Sequence, residues 1–233
     1  MAKFYGGYVK SGKLGSSVFT VSKGITVERQ YQPRVSNPQT KGQVEQRSKF
    51  KLLSSLASVV APFSCLRTEG LQTQANVFIK KNKMLATITN GDAQIYMPSI
   101  QISGGGDGFV VPTFTITDGK GKASISEETV KAAGFDGVVF LVVGTRRPTV
   151  ARIRGEVVLT ANENEFSIEF PIVNKFQEYH LYCYGIKLTD KGRVAYGDIN
   201  SISESTVQLS IKRMISEGMM TASATSYAFA RVQ

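Results

Sequence analysis

At 233 residues, with 42% hydrophobic and 20% charged side chains, the chain has the length and composition of a folded protein of one domain or two small ones, which excludes wholesale disorder. Two cysteines and a single histidine offer too little for a zinc cluster or a disulfide framework, so no cofactor or metal is expected. Lys and Arg number 28 against 18 Asp and Glu, a formal net charge of +10, and the excess is concentrated at one end. Residues 1–51 hold Lys3, Lys10, Lys13, Lys23, Arg29, Arg34, Lys41, Arg47, Lys49 and Lys51, opposed only by Glu28 and Glu45. Clustered cations favour an anionic partner, because neutralising phosphates releases counterions. The competing reading is a solvated surface, or an arm lying on an acidic patch of a neighbouring subunit. These ten residues are the candidate contacts to partner protein or nucleic acid.

In chain order, residues 1–36 read as a basic arm or hairpin. Two alternating runs, Ser17-Val18-Phe19-Thr20-Val21 and Ile25-Thr26-Val27-Glu28-Arg29, flank the turn-forming Ser22-Lys23-Gly24, which predicts one hairpin or an extended arm that pairs with another subunit. A helical segment is expected over 37–85. Thr40 and Gln43 stand at capping-box spacing after Asn37-Pro38, and Pro62 should close the helix. Leu52, Leu56, Val59 and Phe63 would form its apolar face, with Arg47 and Lys51 one turn apart. A second helix is expected near 71–83, with Leu71, Ala75, Phe78 and Ile79 on one face; the short connector makes the two an antiparallel pair.

From 86 to 233 the sequence alternates strands and turns and predicts a β-sandwich region, with 147 as the boundary if it divides into two small domains. Strands are expected at 94–103, 108–117, 138–144, 149–160, 165–171, 178–188, 194–201, 206–211 and 221–232. A short helix should run over Ser126-Glu127-Glu128-Thr129-Val130-Lys131-Ala132-Ala133-Gly134, with an N-cap, early acids and a closing Gly. The fold class is therefore mainly β, preceded by a basic hairpin and a helix pair. The longest apolar run, 138–143, is a buried strand and too short for a membrane span. With no signal-like start, the protein is expected to avoid membranes and to be made in a cytoplasm.

Catalytic constellations are sparse. His180 lies in Tyr179-His180-Leu181-Tyr182-Cys183-Tyr184, where alternation puts Cys183 on the opposite face, so a thiol–imidazole pair is not expected. Gly104-Gly105-Gly106-Asp107-Gly108 lacks the Lys-Ser/Thr and the following helix of a phosphate loop. No enzyme activity is expected. A hydrolase assembled from distant strands would need a pocket holding His180 beside a carboxylate, and a surface adhesin would need an export signal.

The stretch Ser36-Asn37-Pro38-Gln39-Thr40, then Gln43 and Gln46-Arg47-Ser48-Lys49-Phe50, preceded by Gly15-Ser16-Ser17-Val18-Phe19, resembles the N-terminal signature of a poorly characterised family found in gut Bacteroidetes and their bacteriophages. The likeness is best over roughly the first 80 residues. It implies a small protein without known catalysis in which the Asn-Pro-x-Thr start leads into a helix, and the phage context implies a virion structural component. The expectation is a head, portal-vertex or tail protein located in the virion, homo-oligomeric and bound to other virion proteins through its N-terminal arm. The alternative is a basic protein that coats or packages genome.

Overall fold

A computed structural model describes residues 3–5, 8–22, 25–34, 37–66, 72–104, 111–146, 149–188 and 220–232. The chain divides into two compact units, residues 1–44 and 45–233. The first holds β1 (Lys3–Tyr5), β2 (Tyr8–Leu14), β3 (Ser17–Ser22) and β4 (Ile25–Gln30), an antiparallel sheet in the order β1-β2-β3-β4. The expected hairpin is β3–β4, but the segment is no extended arm: two further strands pair with it inside the same chain. Gly15, at φ +58°, supplies the left-handed residue of the turn from β2 to β3. That turn closes a second hairpin, β2–β3, in a segment expected to hold one.

Helix α1 (Lys41–Val60) begins just after Thr40, whose carbonyl accepts from the Val44 amide at 3.0 Å. It gives way to a 3-10 turn, Ala61–Phe63, at Pro62. Its buried face is Leu53, Leu56, Ala57 and Val60, rotated from the expected one, with Leu52 and Val59 only half-buried. α2 (Gln74–Asn82) starts at Thr73, whose side chain accepts from the Asn76 amide at 3.3 Å. It buries Val77 and Phe78.

A hairpin of β5 (Ala86–Thr89) and β6 (Asp92–Ile95) follows, turned by Asn90 and Gly91 at φ +53° and +86°. These are the signs that a two-residue primed turn requires. The strand expected at 94–103 is therefore mostly absent: β6 ends at Ile95, and a 3-10 turn occupies Met97–Ser99 around Pro98. β7 (Thr113–Thr117), β8 (Lys120–Ser126) and β11 (Glu165–Pro171) form a three-stranded sheet in the order β11-β8-β7. β8 runs from the turn signal Asp118-Gly119-Lys120-Gly121 to the cap residue Ser126, where no strand was expected. Helix α3 (Glu127–Ala132) is capped by the Ser126 side chain and closed by Gly134 at φ +78°.

The second unit is organised by β9 (Gly137–Arg146), which lies between β10 (Thr149–Val158) and β12 (Glu178–Leu188). β13 (Met220–Ala222) and β14 (Ser226–Arg231) both pair with the free side of β12. The strand expected over 221–232 is split at 223–225, where Ser223 stays on β12 through Gly185 and Thr225 bonds away from it to the 102–103 segment. The Ser223 hydroxyl accepts from Gly185 N at 2.7 Å, and the Thr225 hydroxyl accepts from Ser103 N at 2.9 Å. The expectations for 194–201 and 206–211 lie outside the described residues.

Every residue from Gly137 to Gly144 is buried. Val139, Leu141 and Val143 face a core shared with Leu56, Val60, Phe63, Val77 and Phe78; Val138, Phe140 and Val142 face one shared with Ala123, Ile125, Phe166, Ile168 and Phe170. Helices thus cover one face of the central sheet and the three-stranded sheet covers the other, which is why β9 reads as an unbroken apolar run. The buried tyrosines reconcile size with polarity. Tyr184 donates to Phe63 O at 2.7 Å and Tyr182 to Met97 O at 3.1 Å, tying the central sheet to the helical side. An unpartnered buried hydroxyl would cost about 1–3 kcal/mol.

Gly121 in β8 faces Phe170 directly, so a Cβ there would overlap the ring. Phe170 is itself buried and flanked by Phe114 and Tyr179 at 5.6 and 6.0 Å, so it has little freedom to yield. Gly121→Ala is expected to lower the unfolding free energy by about 1–3 kcal/mol in urea titration. Gly42→Ala, in the open first turns of α1 with nothing within 4 Å, should raise it by up to about 1 kcal/mol.

Candidate interface on the N-terminal sheet

In an antiparallel ladder, residues directly opposite share a face and faces alternate along each strand. The registers of β2–β3 and β3–β4 therefore sort the side chains. Lys13, Val18 and Arg29 form one row, followed on the same face by Thr20 with Val27 and by Ile25. The opposite face carries Leu14, Phe19, Val21, Thr26 and Glu28. Both described cations of these three strands thus stand on one face and the acid on the other.

Tyr31 extends the ladder, its amide donating to Ser16 O at 2.6 Å, and the Lys13 Nζ lies 3.6 Å from the centre of its ring. That cation–π contact holds the ammonium over the sheet rather than leaving it to swing freely. Two inter-strand steps separate Lys13 from Arg29, about 10 Å.

Among the described side chains of residues 11–51, none is buried. Leu14, Val21, Ile25, Val27 and Tyr31 are 40–57% exposed, and every side chain of β4 is open to solvent. The sheet is held by its ladders, and its described side chains build no interior.

The other candidate contacts scatter. Lys3 and Lys10 lie in β1 and β2, with their side chains outside the described set, as is Lys23 altogether. Arg34 is exposed beyond β4. Lys41 opens α1, Arg47 and Lys51 are exposed one turn apart on it, and Lys49 is half-buried. The structure brings Lys13 and Arg29 together on one face; Tyr31, which completes that face, escaped the sequence reading because it follows the strand it extends.

The second unit holds the only histidine. His180 is 5% exposed, with Nδ1 2.7 Å from the Tyr227 hydroxyl and Nε2 3.2 Å from the Thr145 hydroxyl. Glu178 stands 3.8 Å from Nε2, the juxtaposition a hydrolase requires, but its carboxylate is also paired with Arg231 at 2.7 Å. Burial pulls the imidazole down to about 4, against a partial lift from Glu178. With both nitrogens engaged and its basicity weakened, the ring works as a structural strut between β9, β12 and β14. Cys183 is buried on the opposite face of β12, and burial pushes its thiol well up. Cys65 is also buried, its thiol pushed up to about 12 despite a 3.0 Å contact with the Tyr184 hydroxyl. Among the described residues, no group of three His, Cys, Asp or Glu could hold a metal ion, and no helix is long and apolar enough to cross a membrane.

Because the folded imidazole binds a proton less readily than the unfolded one, its contribution to stability is complete above pH 6.5 and is lost as pH falls from 6.5 toward 4. The loss should reach about 3 kcal/mol. Urea titrations across that window should show the native protein losing stability relative to His180→Gln, with the difference levelling off in stronger acid; parallel curves would contradict the assignment.

Over residues 9–102 the chain matches the model of a family described as a family of unknown function (DUF6266). The matched span runs from β2 through both helices to the β5–β6 hairpin and its following loop. Comparison with curated proteins and with solved structures finds no match.

Proposed function

We propose that this chain is a structural component of a bacteriophage virion, located in the head, at the portal vertex or in the tail, and that it assembles with copies of itself and with other virion proteins through its N-terminal sheet. The observation that carries the reading is the absence of any buried side chain among those described from residue 11 to residue 51, although the segment is ordered into strands and helix. Strands without an apolar interior are marginal in isolation. A repeated partner surface would supply the missing burial. The resemblance of the Ser36–Phe50 signature to a family from gut Bacteroidetes and their phages supports the virion setting.

Magnitudes favour a lattice or ring over a simple dimer. One face of β2–β4 measures about 300 Å² from strand spacing and rise, so two copies packed face to face would bury about 600 Å², under the roughly 1,200 Å² of stable interfaces. Many weak contacts in a closed assembly would hold where one would not. The face bearing Leu14, Phe19 and Val21 suits this role, since Glu28 is its one described charge.

Sedimentation of the full chain in high salt is expected to show concentration-dependent association. Leu14→Asp/Val21→Asp should abolish it while leaving circular dichroism and thermal unfolding of the dilute, unassembled chain unchanged. Mass spectrometry of purified particles should find the chain in stoichiometric amount. A chain that stays monomeric at every concentration and is missing from particles would overturn the reading.

A further inference from the structure

We propose that the opposite face of the same sheet, bearing Lys13, Arg29 and Tyr31, binds single-stranded nucleic acid. Three observations converge. The strand register places both described cations of β2–β4 on this face and the only acid, Glu28, on the other. The unit that carries it, residues 1–44, has seven Lys and Arg against one Glu. Lys13 is held against the Tyr31 ring, so a cation and an aromatic are presented together.

Charge complementarity selects a polyanion over a second copy, whose matching face would repel this one. The uncharged side chains select single-stranded nucleic acid among polyanions. Ile25, Val27 and Tyr31 are 57%, 46% and 40% exposed on the face that carries the cations. Base faces that a duplex hides in its stack are free in a single strand to lie on such side chains, while its phosphates meet Lys13 and Arg29. An acidic protein surface would satisfy the cations but leave this apolar area without a matching partner. Assembly and nucleic-acid contact would then occupy opposite faces of one sheet, so each can fail without the other.

The test is fluorescence anisotropy of the full chain with a labelled oligothymidylate of about 20 nucleotides, titrated at several salt concentrations. The native chain should bind, more weakly as salt rises. Lys13→Gln/Arg29→Gln should bind about tenfold more weakly at moderate salt, and its slope of log affinity against log salt should shrink by about 1.4, for two lost single-strand phosphate contacts. Lys13→Arg/Arg29→Lys, which keeps the charge, should retain binding, and Lys120→Gln/Lys122→Gln in β8 should behave as the native chain. Leu14→Asp/Val21→Asp, which breaks the assembly face, should still bind the oligonucleotide. No binding by the native chain, or an unchanged affinity and salt slope in Lys13→Gln/Arg29→Gln, would overturn the proposal. So would a duplex or polyglutamate of matched charge binding as tightly as the oligothymidylate.

Discussion

Burial of β9 on both faces is the constraint around which the second unit is arranged. A strand whose every side chain from Gly137 to Gly144 is removed from water demands one apolar layer above and another below. α1 and α2 with the 3-10 turn at Pro62 form the first, and β7, β8 and β11 form the second. Tyr182 and Tyr184 pass their hydroxyls across to backbone carbonyls on the helical side, so the same residues that fill the core also fix its layers in register. The glycines at 121 and 155 fit this scheme: Gly121 lies under the ring of Phe170, its cross-strand neighbour within the second layer, and Gly155 in β10 lies under the ring of Phe63 from the first, so a larger residue at either would collide with the ring.

The N-terminal sheet stands under the contrary condition. Its ladders satisfy the backbone, but its described side chains remain half-buried or exposed. Hydrogen bonds exchanged with water contribute little net stability, and the described side chains of these short strands gain little of the area-dependent term that stabilises the rest of the molecule. Among the described side chains its two faces also differ in charge, one carrying Glu28 and the other Lys13 and Arg29. On the proposed reading such a module would gain most of its order from what it touches, with one partner to each face.

Much of the second unit was legible because periodicity and burial agree there. β11 and β12 have the expected bounds, and the apolar run within β9 is the strand its composition announced. The short helix at 127–132 follows from its cap, its acids and Gly134. Where the reading failed, a local signal was outvoted by packing. Asp118-Gly119-Lys120-Gly121 reads as a turn and hides the start of β8, but Gly121 is there to admit Phe170. At Asn90-Gly91 the opposite happened: the local hairpin signal holds, turning β5 into β6, and it was passed over in favour of a strand at 94–103. The buried stripe of α1 differs from the expected one because the apolar content of its last turns admits two adjacent faces, and only contact with the sheet selects Leu53 and Ala57 over Leu52 and Val59. The candidate interface was half legible. Composition located the positive charge, whereas the pairing register that separates Lys13 and Arg29 from Glu28 needs the turn at Gly15, which the basic, glycine-rich approach concealed.

Hydrogen exchange at the amides of β3 and β4, compared between the dilute chain and the same chain in assembled particles, tests most directly whether the N-terminal sheet takes its order from outside itself. Weak protection in the dilute chain that rises sharply on assembly, beside unchanging protection in β9, is the predicted result. Protection in β3 and β4 that equals that of β9 in the dilute monomer would contradict it.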